Sequence, residues 1–184
     1  MPTPTPSKSL VFVEDVVAPI AHAAEAMALA RRVSFRWRVD SDLPGVSGDE
    51  RALQEALSNL VDNALKYVGS ARSAAESVRR PMVIMRGRLS TDADGWEEGA
   101  GAVIEVCDNG PGIPAHELDR IFERGYRGEH PLKSEVPGTG LGLGIARDIV
   151  RHMGGDIRIT RMDPSSGWST CASLFLPRLH RNLR

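Results

Sequence analysis

Residues 49–68 read DERALQEALSNLVDNALKYV. Leu53, Leu57, Leu60, Ala64 and Leu65 fall on one side of a helix, and Asp49 stands where a carboxylate can cap its first turn. So long an apolar stripe needs a partner layer, and the flanking sequence supplies one. Val33-Ser-Phe35-Arg-Trp37-Arg-Val39 alternates apolar and polar residues, which predicts a half-buried strand over 33–39 with a turn at 42–45. Further strands are predicted over 82–88 and 102–107, joined as a hairpin by the Gly/Asp/Glu-rich segment 90–101, and over 156–161 and 170–176. Helices are predicted over 14–32, where Val16, Ile20, Ala23, Met27 and Ala30 recur at helical spacing and Pro19 falls near the start, and over 141–153, stopped by Gly154-Gly155. A short helix is expected over 115–122, and the small, polar, basic residues 69–80 read as a loop. This order of elements predicts a two-layer α/β sandwich, a mixed, mostly antiparallel sheet with helices on one face.

The chain has 184 residues, 41 % of them apolar, which suits one domain with a substantial core. Its 23 Lys+Arg against 24 Asp+Glu leave a net charge of −1, which argues against a nucleic-acid binder or a polybasic membrane binder. The most apolar stretch, residues 10–30, is broken by Glu14, Asp15 and Glu25 and cannot serve as ~20 lipid-facing residues. The opening MPTPTPSKS lacks the apolar core of a signal peptide and reads as a loose, extended tail. A cytoplasmic chain without direct membrane contact is expected. Two cysteines, Cys107 and Cys171, are too few for a disulfide scaffold or a four-ligand zinc site, and both are expected to stay reduced in a cytosol-like compartment.

Four segments carry candidate chemistry. Within the long helix, Asn59, Asn63 and Lys66 share one edge at i, i+4 and i+7, either as a polar site or as a solvated border of the stripe. Asp108-Asn-Gly110-Pro-Gly112-Ile-Pro114 follows a strand; its carboxylate and close-turning glycines suit a ligand bearing an exocyclic amine, although Asp-Asn-Gly is also a common turn. The third is Ile121-Phe-Glu-Arg124-Gly-Tyr-Arg127. The fourth, Gly138-Thr-Gly140-Leu-Gly142-Leu-Gly144, opens a helix whose unpaired N–H groups can meet phosphate. Its spacing is not the dinucleotide-binding fingerprint, and the chain has no P-loop.

Together and in order, these segments resemble the ATP-binding catalytic domain of sensor histidine kinases. This is a branch of the GHKL superfamily, which also includes gyrase, MutL and a heat-shock chaperone. Residues 59–67 resemble the N box, 108–114 the G1 box, 121–127 the F box and 138–144 the G2 box. The resemblance implies that Asn63 holds Mg²⁺ against the phosphates of ATP, with Asn59 beside it and Lys66 on phosphate oxygens. It implies that Tyr67 packs near the nucleotide, that Asp108 accepts a hydrogen bond from the adenine amino group, and that Gly110 and Gly112 shape the adenine pocket. Gly138, Thr139, Gly140, Leu141 and Gly142 would close over the phosphates, and Thr170 would edge the base. A mobile lid would span 124–137, with Arg124 or Arg127 reaching the γ-phosphate.

Some positions depart from the family. Gly125 stands where a second aromatic is frequent, Gly144 where serine is common, and Cys171 where a second threonine often follows Thr170. Gyrase-like ATPases and the related serine kinases carry a general-base Glu at the position of Asn59, whose amide cannot take a proton. A neutral imidazole has a lone pair ready near pH 7, so Asn59 favours transfer to histidine over hydrolysis. None of His22, His116, His130, His152 or His180 has the acidic and proline neighbours of the family's acceptor histidine. The expected organisation is a tail over 1–9, a connecting helix over 10–32 and the catalytic domain over 33–184. Its partners would be ATP, a separate phosphoacceptor histidine hairpin and a response-regulator receiver domain. The rival readings are a gyrase-like ATPase clamp and a degenerate ATP-sensing module that binds nucleotide without transfer.

Overall fold

The computed structural model describes residues 9–70, 80–96, 100–128 and 138–179. Residues 1–8 of the expected tail, most of the 69–80 loop and residues 129–137 of the lid expected over 124–137 lie outside this range, while Ser9 begins β1. The described elements are β1 (Ser9–Val11), α1 (Val13–Ala30), β2 (Ser34–Val39), β3 (Val46–Gly48), α2 (Glu50–Ser70), β4 (Met82–Leu89), β5 (Gly101–Asp108), α3 (Gly142–His152), β6 (Asp156–Arg161) and β7 (Thr170–Pro177). Five strands form one sheet in the order β2-β4-β5-β7-β6. Its β2–β4 pair is parallel and its other pairs are antiparallel, so the predicted mixed sheet is observed.

One face of this sheet carries the three helices. Leu53, Leu57, Leu60, Ala64 and Leu65 of α2 are all buried and pack with Val83, Met85, Ile104, Val106 and Leu174 of the sheet. The start of α2 is held as expected: Asp49 Oδ1 accepts the Ala52 N–H at 2.9 Å. The end of α3 comes at Gly154, whose φ of +84° favours glycine. Next to it, a Cβ on Gly155 would lie 2.0 Å from the Phe175 carbonyl oxygen, so this turn can seat against β7 only without a side chain.

Several expectations change. In α1 the buried positions are Val13, Val16, Val17, Ala21, Ala24 and Ala28, while Ala23, Met27 and Ala30 face outward. In an alanine-rich helix two adjacent stripes are nearly equivalent, and packing on α2 and β2 selects between them. The stretch expected as a connecting helix thus contributes α1 to the common core, and β1 pairs with β3 as a separate two-stranded sheet. Both of those strands have only three residues, too few to show a period. The helix expected over 115–122 is a single 3₁₀ turn, Ala115–Glu117, followed by further turns. Eight residues beginning after Pro114 do not repay helix nucleation, and the Glu117 carbonyl accepts from both Arg120 and Ile121 instead.

Cys107 and Cys171, expected as free thiols, are joined as a disulfide. They are 64 residues apart in sequence, yet the β5–β7 register sets them directly opposite with Cα atoms 4.0 Å apart. On the same helix-free face, Trp96 stacks on Phe175 with ring centroids 5.1 Å apart, and the Arg158 guanidinium lies 3.7 Å above Trp96. Arg88 donates to Glu105 and Asp94, and this bonding holds the Asp94 carboxyl well below the usual carboxylate range. The loop between β4 and β5 is thereby fastened over that face.

Candidate functional site

One end of the sheet opens into a cleft with two connected compartments. The inner one, about 100 Å³, is walled by Val106 and Asp108 of β5, Thr170 and Ala172 of β7, Ile159 of β6, and Leu60 and Ala64 of α2. The outer one, about 300 Å³, is lined by Asn59, Asp62, Asn63 and Lys66 of α2 and by Gly138, Thr139, Gly140 and Gly142 before and at the start of α3. Asn63, Tyr67, Tyr126 and Arg127 border both.

Asp108 closes the inner compartment. It is 8 % exposed, and burial pushes its carboxyl up to about 6, although the Gly110 N–H donates to Oδ1 at 2.9 Å. No other hydrogen bond to this carboxylate occurs among the described residues, so one oxygen remains for a donor from a ligand. Buried Thr170 is its register partner on β7. A Cβ on Gly110 would fall 2.9 Å from Asp108 Oδ1 and 3.2 Å from the Val68 Cα. Gly110 therefore sits behind the pocket and permits the turn, whereas Gly112 lines it.

The outer compartment is built by helix spacing and by backbone. Asn59, Asp62, Asn63 and Lys66 share one edge of α2, and Asp62 forms an ion pair with Lys66. Gly140, at φ +71°, passes its carbonyl to the Gly125 N–H at 3.0 Å; a Cβ there would lie 2.7 Å from the Tyr126 carbonyl oxygen. Gly142 approaches Asn59, with its would-be Cβ 3.2 Å from Oδ1. At Gly144, where the family often has serine, a Cβ would stand 2.9 Å from the Phe122 carbonyl oxygen, so this packing suits glycine.

The structure thus brings Asn59, Asn63, Lys66, Tyr67, Asp108, Gly112, Arg127, Gly138, Thr139, Gly140, Gly142 and Thr170 to one cleft. Three expected residues lie outside its lining: Gly110, which sits behind the pocket, Arg124 and Leu141. Arg124 points to α3 and pairs with Asp148 at 2.8 Å, and Leu141 is 38 % exposed. Residues the sequence reading passed over include Tyr126, Ile113, Leu143 and Asp62. Asp62 is the one carboxylate among the described residues lining the outer compartment, and its spacing from Asn59 and Lys66 was a usable signal.

Comparison with known proteins agrees with this geometry. Residues 48–180 match the family described as histidine kinase-, DNA gyrase B-, and HSP90-like ATPase. The sensor histidine kinase Hik2 of Thermosynechococcus vestitus is 35 % identical over 159 residues, which cover 86 % of this chain but 36 % of that protein. The chain therefore spans about a third of the length of this curated relative. Among solved structures, the mycobacterial sensor histidine kinase MprB has 28 % identity and a TM-score of 0.63 over 94 % of this chain and 99 % of that one. The catalytic domain of histidine kinase ThkA shares the fold, with a TM-score of 0.70 at 19 % identity over 93 % and 95 % of the two chains. With the boxed residues in one cleft and the family matched across most of the sequence, the chain belongs to the histidine kinase-, DNA gyrase B- and HSP90-like ATPase family.

Proposed function

We propose that this chain is the catalytic, ATP-binding part of a sensor histidine kinase, transferring the γ-phosphoryl group to a histidine on a separate domain or chain for relay to a response regulator. The observation that carries this reading is the polarity of the cleft. A buried carboxylate with one oxygen left for a donor stands at the apolar end, and amides, Lys66 and Arg127 stand at the polar end. An adenine ring fits the first environment and a triphosphate the second.

In this reading Asp108 accepts from the exocyclic amine of adenine, and Thr170 and Gly112 edge the base. Lys66 and Arg127 offset phosphate charge, and the backbone N–H groups at the start of α3 face the same anion. The donor set fits Mg²⁺: the Asn63 amide oxygen, in the outer compartment, is a hard ligand whose companions can come from phosphate and water. Mg²⁺, when bound, would neutralise phosphate charge. The attacking imidazole nitrogen forms the new N–P bond as the bond from the γ-phosphorus to the bridging oxygen breaks, and ADP leaves with that electron pair. The imidazole proton passes to solvent. Asn59 holds no base for water, which favours this transfer over hydrolysis.

Among the described residues no helix is long and apolar enough to cross a membrane. Calorimetry with ATP and GTP, followed by a phosphotransfer assay with a histidine hairpin supplied in trans, tests the proposal. Micromolar to millimolar ATP binding that discriminates against GTP, with acid-labile phosphate appearing only when the hairpin is added, is expected. Rapid hydrolysis without an acceptor would point instead to the ATPase branch of the family.

A further inference from the structure

The cysteine pair lies where it can act on the cleft. Successive residues of a strand point to opposite faces, so Cys107 and Cys171 project from the helix-free face while their neighbours Asp108 and Thr170 line the inner compartment. The two pairs are consecutive rungs of the β5–β7 ladder, Cys107↔Cys171 and then Asp108↔Thr170. The bond therefore ties together the two strands that carry the carboxylate and the hydroxyl at the bottom of the pocket. The same strands already pair over eight residue pairs, from Gly101↔Pro177 to Asp108↔Thr170, so the sheet does not depend on the bond for its register. What the bond adds is fixed spacing at the pocket end.

We propose that Cys107 and Cys171 form a thiol–disulfide exchange site, a reversible brace behind the adenine end of the cleft that raises nucleotide affinity when closed. The proposal rests on the nucleotide-binding reading of the cleft. A dithiol is the reductant: one of its thiolates attacks a cysteine sulfur, the Sγ–Sγ bond breaks, and the other cysteine leaves as a thiolate. The second thiol of the reductant then displaces the first cysteine. Two electrons and two protons pass to the cysteine pair, and the dithiol becomes a disulfide. Each cysteine is only 5 % exposed, so attack requires the strand ends to open. The pair is one position from the end of β5, so opening must break the Ser169 N–H bond to the Asp108 carbonyl (2.8 Å) but leaves most of the eight-pair ladder in place.

Once the bond is open, nothing covalent holds the 4.0 Å Cα spacing, and the adjacent Asp108–Thr170 rung is free to move with it. A pocket that must re-form on binding holds its ligand less tightly than one already set. Linkage makes the effect reciprocal: ATP bound at the braced pocket shifts the thiol–disulfide equilibrium toward the bond by the same factor.

The test uses the full chain, oxidised or treated with dithiothreitol, with alkylation of free thiols followed by mass spectrometry and ATP titration by calorimetry. Expected results are protection of both cysteines in the oxidised chain, alkylation of both after reduction, and ATP binding at least threefold tighter in the oxidised state. Cys171→Ser should bind like the reduced chain whatever the redox treatment, and Cys107→Ser serves as the second variant if the first misfolds. Full alkylation of the oxidised chain, or equal ATP affinity in the two states, overturns the proposal. If neither state binds ATP, the proposed function falls along with the affinity effect, and alkylation alone decides the bond.

Discussion

The two compartments of the cleft are made in different ways. Strands and the apolar edge of α2 wall the inner one, and its central polar group is buried and fixed by a backbone N–H. The outer one is bordered by long charged side chains and glycine-rich backbone, and Lys66 is already engaged with Asp62. The inner compartment is therefore set before a ligand arrives, whereas in the outer one existing pairs must exchange for ligand contacts. Preorganised contacts return more affinity per group because less ordering accompanies binding. The largest mutational effects should accordingly lie in the inner compartment.

Asp108→Asn places a donor where the adenine amine needs an acceptor, a loss of ~1–3 kcal/mol. ATP and ADP affinity should both fall tenfold or more in calorimetry, and an unchanged ADP affinity would remove Asp108 from the site. The same substitution separates binding from stability. Because burial raises the folded-state pKa from 3.8 to about 6, the stabilising contribution of this group is complete below about pH 3.8 and is lost as pH rises through 6. At pH 7.5 the buried charge opposes folding, so Asp108→Asn should raise the urea midpoint there, with the gain shrinking toward pH 4.

Acidification offers a second measure of the inner compartment. Protonation of Asp108 at the oxygen not held by Gly110 turns that acceptor into a donor, so lowering pH from 7.5 to 5 should weaken wild-type ATP binding by roughly tenfold beyond any change seen in Asp108→Asn. Equal pH profiles for the two proteins would mean that the carboxylate is not in contact with the base.

Effects in the outer compartment should be smaller and should depend on the metal. Asn63→Ala should weaken Mg²⁺·ATP binding about fivefold, a loss of ~1 kcal/mol, with little change in metal-free binding. Equal weakening in both conditions would give Asn63 a role in the fold or the base pocket. The smallest effects should separate the two arginines. Arg127 borders the cleft, so Arg127→Ala should weaken ATP two- to threefold more than ADP, at the order of one exposed charge contact. Arg124 is 72 % exposed and pairs with Asp148, so Arg124→Ala should change ATP affinity less than twofold. A larger loss from Arg124 than from Arg127 would reverse their assignments.

Legibility in the sequence followed the length and regularity of each element. The α2 stripe and the β2 alternation carry periods long enough to identify their type and buried face, and the two closing strands were legible as strands although β7 is buried on both faces. β1 and β3 are too short for a period, and α1 is too uniform in its alanines for a single stripe. The site residues on α2 were readable because helix spacing alone aligns Asn59, Asn63 and Lys66, and the same rule applied to Asp62 would have added it. Arg124 and Arg127, three positions apart among glycines, could not be separated in this way. Their directions depend on turns held by the Gly125–Gly140 hydrogen bond and on an acidic partner in α3.

By itself, the sequence determined the local elements, the order of the four boxed segments and the chemical types available at each, because propensity, periodicity and donor–acceptor inventory are properties of neighbouring residues. Only the tertiary structure decided which face of α1 is buried, which arginine borders the cleft, and that Cys107 and Cys171 meet behind Asp108 and Thr170. Each of these depends on contacts between segments distant in the chain. The β5–β7 register joins residues 64 positions apart, and no local pattern around either cysteine specifies that pairing.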